Sequence, residues 1–178
     1  MSIIVILDES GSMGSMGSEP VESINSLIDE QRKINPDAHF SLYTFNGVSS
    51  VKTEKTLKEV EKFTSYNPSG FTALYDTVGL VVTNYLKRSD NKNVHLIIVT
   101  DGADNCSKEF SANEIKRLLE RVKDQEGWKV QFLGANMDCA TDAKSIGISN
   151  TNYVSYSQNS RGSLCRAMKS ASNNISTK

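Results

Sequence analysis

The sequence predicts an α/β domain: a doubly wound, mostly parallel central sheet with one antiparallel edge strand and helices on both faces. Three observations predict it. Two short continuous apolar runs, at residues 3–7 and Val94–Thr100, read as strands buried on both faces. Strand-like and helix-like segments alternate along most of the chain. A single Asn46-Gly47 pair separates two strand-like runs, the strongest short-range hairpin signal.

The elements follow in order. Residues 3–7 form the first strand. Ser18 is placed to cap a helix with Pro20 in its first turn. Val21, Ile24, Leu27, Ile28 and Ile34 recur at helical spacing, and Asn35-Pro36-Asp37 ends the run. His39–Phe45 alternates as a second strand, and residues 48–51 return antiparallel to it as an edge. Leu57, Val60 and Phe63 suggest a short helix, and residues 66–70 (YNPSG) a turn-rich loop. Leu74, Val78, Val81, Val82 and Tyr85 make the next helical stripe. After the strand at Val94–Thr100, Ser111 and Glu114 form a capping box for a helix carrying Ile115, Leu118, Leu119 and Val122. Residues 128–135 read as a strand, 138–146 as a short helix closed by Gly147, and 153–156 as a last strand. Leu164, Ala167, Met168, Ala171 and Ile175 give a terminal helix. No boundary or long-period repeat divides the chain, so one domain over 1–178 is expected; the only local repetition is GSM-GSM at residues 11–16.

Composition narrows the function classes. The 178 residues suffice for a full hydrophobic core, and 38% apolar with 23% charged content is that of a globular chain. A net charge of −1 without basic blocks argues against nucleic acid or an anionic membrane surface as partner. No apolar run reaches bilayer length. No basic region precedes the first apolar run, which stops at Leu7, so a cytoplasmic protein is expected. Cys106, Cys139 and Cys165 are widely spaced and read as reduced thiols; His39 and His95, at strand starts, read as structural.

The informative stretch is residues 8–18, DESGSMGSMGS, directly after the first strand. A flexible linker is one reading, although a loop inside one domain, between strand and helix, tends to be functional. A phosphate cradle is another, but glycines at 11, 14 and 17 lack the G-x-G pair, and the first lysine, Lys33, lies deep in the helix. No G-x-S-x-G elbow supports a serine hydrolase. The third reading is a metal site. Asp8, Ser10 and Ser12, at i, i+2 and i+4, can turn alternate oxygen donors to one point, which suits a hard cation.

Two other stretches strengthen the metal reading. TDG, with Asp101, closes the strand at Val94–Thr100, and SGFTALYD at residues 69–76 carries Thr72 just ahead of a helix. Taken singly, TDG is an ordinary turn and Thr72 a helix cap with Asp76 complementing the dipole. In a sheet of order 3-2-1-4-5-6, however, the ligand crevice opens between the first and fourth strands, at their carboxyl ends. That order brings Asp8, Ser10, Ser12, Thr72 and Asp101 to one rim.

With D-E-S-G-S at 8–12, Thr72 and T-D-G in place, the sequence resembles a von Willebrand factor type A domain with a metal-ion-dependent adhesion site. Residues 132–138, FLGANMD, also resemble small stand-alone bacterial or phage members. The resemblance implies that Ser10, Ser12 and Thr72 touch Mg²⁺ (or Mn²⁺ or Ca²⁺) through their hydroxyls, with Asp8 and Asp101 holding it directly or through water. It implies a non-enzymatic, metal-dependent protein-binding module whose partner presents an Asp or Glu to the open coordination position. A Mg²⁺-dependent hydrolase using the same rim is the alternative; Glu9, Asp104 and Cys106 lie nearby in sequence, but none comes with a paired His or Lys. A purely structural scaffold is the third reading. The loop after Ser12 is longer than the resemblance implies: Ser15 competes with Ser12 as a donor, and Met13 and Met16 either line the rim or fold back onto the domain.

Overall fold

The computed structural model describes residues 1–89 and 92–176. Its chain order is β1 (Ser2–Asp8), α1 (Glu19–Ile34), β2 (His39–Phe45), β3 (Ser49–Thr56), α2 (Leu74–Leu86), β4 (Val94–Thr100), α3 (Ala112–Glu126), β5 (Lys129–Gly134), α4 (Met137–Ser145), β6 (Tyr153–Ser155) and α5 (Ser163–Ser176). The sheet order is β3-β2-β1-β4-β5-β6. Every pairing is parallel except β2 with β3. The expected fold class and strand order are therefore those observed.

Alternation along the strands explains the layers. In β1 all of Ile3 to Leu7 are fully buried; Ile3, Val5 and Leu7 face one apolar layer and Ile4 and Ile6 the other. The first layer is filled by α1 and α5, through Ile24, Leu27, Leu164 and Met168. The second is filled by α2, α3 and α4, through Val78, Val82, Leu119 and Cys139. Burying both faces is what makes the central strands read as continuous apolar runs. At the edge, β3 has no buried residue and carries charged side chains such as Lys52 and Glu54, which suit a strand with one unpaired side. Among the described residues no helix is long and apolar enough to cross a membrane.

The first and last helices are joined by a buried acid. Glu19 opens α1, and its Oε1 accepts from the Leu164 and Cys165 amides at 2.7 and 3.2 Å, satisfying donors at the start of α5 that have no partner within their own helix.

Several local expectations need correction. The short helix around Leu57, Val60 and Phe63 is only a 3-10 turn at Leu57–Glu59. Side chains of α1 take over the backbone groups that a helix would use: Arg32 donates to the Leu57 and Val60 carbonyls, and Asn25 exchanges two 2.9 Å bonds with the Phe63 backbone. Ser18 precedes α1 but does not cap it; its hydroxyl donates to Glu22 at 2.6 Å. Thr72 is not a cap either, since Ala73 holds that position before α2. Residues 11–16 are a 3-10 helix, and Met13 and Met16 fold back into the core under the α1/α5 layer. The remaining boundaries shift by a residue or two, and β3 runs on to Thr56.

Candidate metal centre

The rim forms where β1 and β4, adjacent and parallel, end at their carboxyl termini. Asp8 closes β1 with a side chain that is fully buried. Its Oδ1 accepts from the Ser10 amide at 2.7 Å and its Oδ2 from the Thr100 hydroxyl at 2.6 Å. The loop then reverses, and the Ser10 and Ser12 hydroxyls lie 3.3 Å apart. Ser12 Oγ donates to Asp101 Oδ1 at 2.7 Å, closing a chain of oxygens that runs from one strand end to the other. The Gln158 amide donates to the other Asp101 oxygen, and Asn136 Nδ2 holds the Asp101 carbonyl at 2.5 Å.

Thr72 reaches the rim on a separate loop. Gly70 O accepts from the Gly11 amide at 3.1 Å, which ties that loop to the serine loop. Asn105 clamps Thr72 on both sides: its Oδ1 accepts from Thr72 N at 2.8 Å, and its own amide donates to Thr72 O at 3.0 Å. The Thr72 hydroxyl faces Gly102, where an added Cβ would lie 4.0 Å from Oγ1. The structure thus links Ser10, Ser12 and Asp101 by side-chain hydrogen bonds, attaches Asp8 through the Ser10 amide, and sets Thr72 beside Gly102. Ser15 does not compete for the rim; its hydroxyl turns to the Ser12 carbonyl at 3.1 Å.

Electrostatics follow from burial. Desolvation pushes the Asp8 carboxyl up to about 6 against the hydrogen bonds from Thr100 and Ser10, and the nearby Asp101 adds to the rise. Desolvation also raises Asp101, opposed by the bonds from Ser12 and Gln158. Tyr66, its phenol raised by burial and by Asp8, Asp101 and Glu9, donates to the Asp8 carbonyl at 2.7 Å. Two carboxylates that burial makes costly to ionise, surrounded by neutral hydroxyls, are a donor set that a hard cation would stabilise. Among the described residues no group of three His, Cys, Asp or Glu side chains is placed to hold a metal, so a site here depends on the hydroxyls.

The family profile of the von Willebrand factor type A domain matches residues 2–168. The chain belongs to this family. No curated protein matches the sequence. Among solved structures, proximal thread matrix protein 1 from the mussel byssus superposes with a TM-score of 0.70 at 15% identity, over 98% of this chain and 46% of its own. The pilus adhesin SpaC of Lactobacillus rhamnosus GG gives 0.77 at 12% identity, over 98% of this chain and 30% of that one. The vWF domain of the type V pili tip protein Mfa5 from Porphyromonas gingivalis gives 0.71 at 9% identity, over 98% and 94%. These identities establish a shared fold. The chain spans less than half the length of the mussel protein and of SpaC.

Within this type A domain, sequence reasoning missed the residues that hold the rim in place. Gln158 lies 57 positions from Asp101 in a loop with no recognisable motif. Asn105 and Thr100 each sit next to, or within, a stretch already singled out, yet nothing in their spacing shows whom they bond. Asn136, inside the FLGANMD stretch, does carry a signal: it caps α4 by accepting from Cys139 N at 3.0 Å while holding the Asp101 carbonyl.

Proposed function

We propose that the rim holds a divalent cation, Mg²⁺ or alternatively Mn²⁺ or Ca²⁺, and that the chain is a non-enzymatic module binding a protein partner through that partner's Asp or Glu. One observation carries the reading: the Ser12 hydroxyl meets Asp101 at 2.7 Å with the Ser10 hydroxyl 3.3 Å away, so donors from two strand ends form one oxygen cluster. Ser10, Ser12, Thr72 and Asp101 would hold the ion. Asp8, whose oxygens accept from the Ser10 amide and the Thr100 hydroxyl, neither of them a ligand in this reading, would act through water, whereas Asp101 would give up only its bond from Ser12. The ion supplies a Lewis-acidic position to which an incoming carboxylate can bind. Ser12 would exchange its bond to Asp101 for a bond to the ion, while Thr100 and Tyr66 hold Asp8 through its carboxylate and carbonyl. With one carboxylate in direct contact, the site would retain positive charge for a partner's acid to neutralise.

Binding rather than catalysis is further supported by the acids around the rim. Glu9 accepts from the Asn67 amide at 2.7 Å and pairs with Lys52 at 3.4 Å. Asp104 accepts from Tyr75 N and Ser107 Oγ. Both are used to position loops and are poorly placed to serve as a general base. The pilus adhesin and the pilus tip protein among the structural neighbours point in the same direction.

Thermal melts in excess Mg²⁺ and in EDTA test the site. At a hundredfold excess over Kd, a ligand specific to the native state adds about 2.7 kcal/mol, and the melting temperature rises by roughly 5–10 °C for a chain of this size. The rise should vanish in Asp8→Ala and Thr72→Ala. An acidic peptide retained in Mg²⁺ and released in EDTA supports the partner. A melting temperature indifferent to all three cations rejects the site.

A further inference from the structure

Ala73 stands at the cap position of α2 and offers no side-chain acceptor, so amides at the start of this helix have no partner within it. The loop after β4 supplies the partners instead. Asn105 Oδ1 accepts from the Thr72 amide at 2.8 Å, Asp104 Oδ1 from Tyr75 N at 3.1 Å, and Ser107 Oγ from Asp76 N at 3.0 Å. The bonding is reciprocal. The Asp76 carboxylate, on the first turn of α2, accepts from the Lys108, Glu109 and Phe110 amides, each at 2.8 Å. The Asn105 amide donates to Thr72 O at 3.0 Å. The two segments also meet closely at Gly79, where an added Cβ would lie 2.6 Å from the Phe110 ring.

These bonds join the two segments that bring Thr72 and Asp101 to the rim. Thr72 lies just ahead of α2, and Asp101 opens the loop that reaches Phe110. An aspartate in a first helical turn commonly does no more than complement the dipole. Asp76 is half-buried, and both its oxygens are engaged by the neighbouring loop. Hydrogen bonds to an ionised acceptor are the stronger kind. Thr72 and Asp101 therefore cannot separate without disturbing this joint. A fixed separation matters more to one cation than to another. Mg²⁺ demands near-octahedral geometry with short bonds, whereas Ca²⁺ accepts longer bonds and variable coordination.

We propose that Asp76 is a positioning residue for the rim: by holding the amides of Lys108, Glu109 and Phe110 it locks the Asp101 loop to the start of α2, and so sets a preference for Mg²⁺ over Ca²⁺. This role rests on the cation reading of the rim. Asp76 acts through the loop, with its oxygens on the amides rather than on the ion. Its loss lets the two segments part, which costs the smaller, stricter ion more than the larger one.

Calorimetric titrations of the full chain with magnesium chloride and with calcium chloride test it, together with amide hydrogen exchange in EDTA. Asp76→Asn removes the charge and one acceptor oxygen. It should bind Mg²⁺ about tenfold more weakly and leave Ca²⁺ affinity nearly unchanged. In EDTA its Lys108, Glu109 and Phe110 amides should exchange faster, and the Thr72 and Asp101 amide signals should shift. Gly79→Ala presses on the Phe110 ring without altering any charge. It should lower the Mg²⁺ preference in the same direction, and it decides the matter if Asp76→Asn does not fold. Wild-type Mg²⁺ affinity in a folded variant overturns this role alone, as does an equal loss of both cations, which is what general destabilisation would give. A wild-type chain that binds neither cation overturns the cation reading and this role with it.

Discussion

At the carboxyl end of the sheet, Asp8 and Asp101 have every carboxylate oxygen engaged by a hydroxyl or an amide. At the amino end, His95 and Gln31 each keep a buried atom without a partner, among lysines rather than acids. The contrast separates two ways of burying polar groups. At the rim the proposed cation would take over oxygens that hydroxyl and amide donors already engage, so its binding would be an exchange that depends on protonation. At the amino end two buried polar atoms stay without partners inside the fold. The same sheet thus has a saturated acidic end and an unsaturated basic one.

The largest effect expected from breaking this contrast comes from Asp8. Its carboxyl sits at about 6 in the folded chain against 3.8 in the reference state, so the folded state binds the proton more tightly. The stability contributed by that proton is fully present below about pH 4 and is lost as pH rises through about 6, a change of about 3 kcal/mol. Asp101, raised in the same direction, adds to the trend. In EDTA, Asp8→Asn should be more stable than wild type at about pH 7.5 and close to it at about pH 4. Urea unfolding at the two pH values measures this; parallel pH dependence in both proteins would remove the buried charge from the account. Mg²⁺ should reverse the order at the higher pH, because only wild type gains from it.

A smaller effect is expected at Gly134, where β5 passes under the start of α4. An added Cβ would come 2.7 Å from both Cys139 Cβ and the Tyr153 hydroxyl. Gly134→Ala should therefore cost about 1–3 kcal/mol by overpacking. Since Asn136, two residues on, holds the Asp101 carbonyl, the variant should also reduce the Mg²⁺ response while the amide signal of Gln31 stays in place. Calorimetry with and without Mg²⁺ reads both parts, and an unchanged Mg²⁺ shift would detach α4 from the rim. The smallest effect belongs to Ser111, whose capping box with Glu114 is complete at the start of α3. Ser111→Ala should cost about 1 kcal/mol, equally in Mg²⁺ and in EDTA, which makes it a reference for the other two.

Much of this was legible because the fold uses strong, local signals. Continuous apolar runs mark β1 and β4, the Asn-Gly pair marks the hairpin, and Ser111 with Glu114 marks a helix start that the structure confirms. The rim residues were legible because oxygen-bearing side chains cluster at strand ends, where sheet order decides what meets. What escaped was decided by long-range hydrogen bonds. The spacing of Leu57, Val60 and Phe63 suits a helix, but Arg32 and Asn25 satisfy that backbone in an extended form. The GSM-GSM loop looks flexible by composition, but its methionines are buried, and the Tyr156 hydroxyl lies 3.8 Å from Met13 Sδ. Gln158 is polar and unremarkable until the last strand brings its loop over Asp101.

The bond from Glu19 to the start of α5 has a consequence for the order in which the chain can be built. It joins residues 145 positions apart. During translation α1 emerges well before the partners of its carboxylate, Leu164 and Cys165, are made. Until then, the apolar layer that α1 shares with α5 has no second half to close it. The rim depends on the same late segment, because Gln158 lies just ahead of α5. A chain halted before residue 158 would therefore hold all six strands but neither a finished layer nor a finished rim, and would expose apolar surface to chaperones.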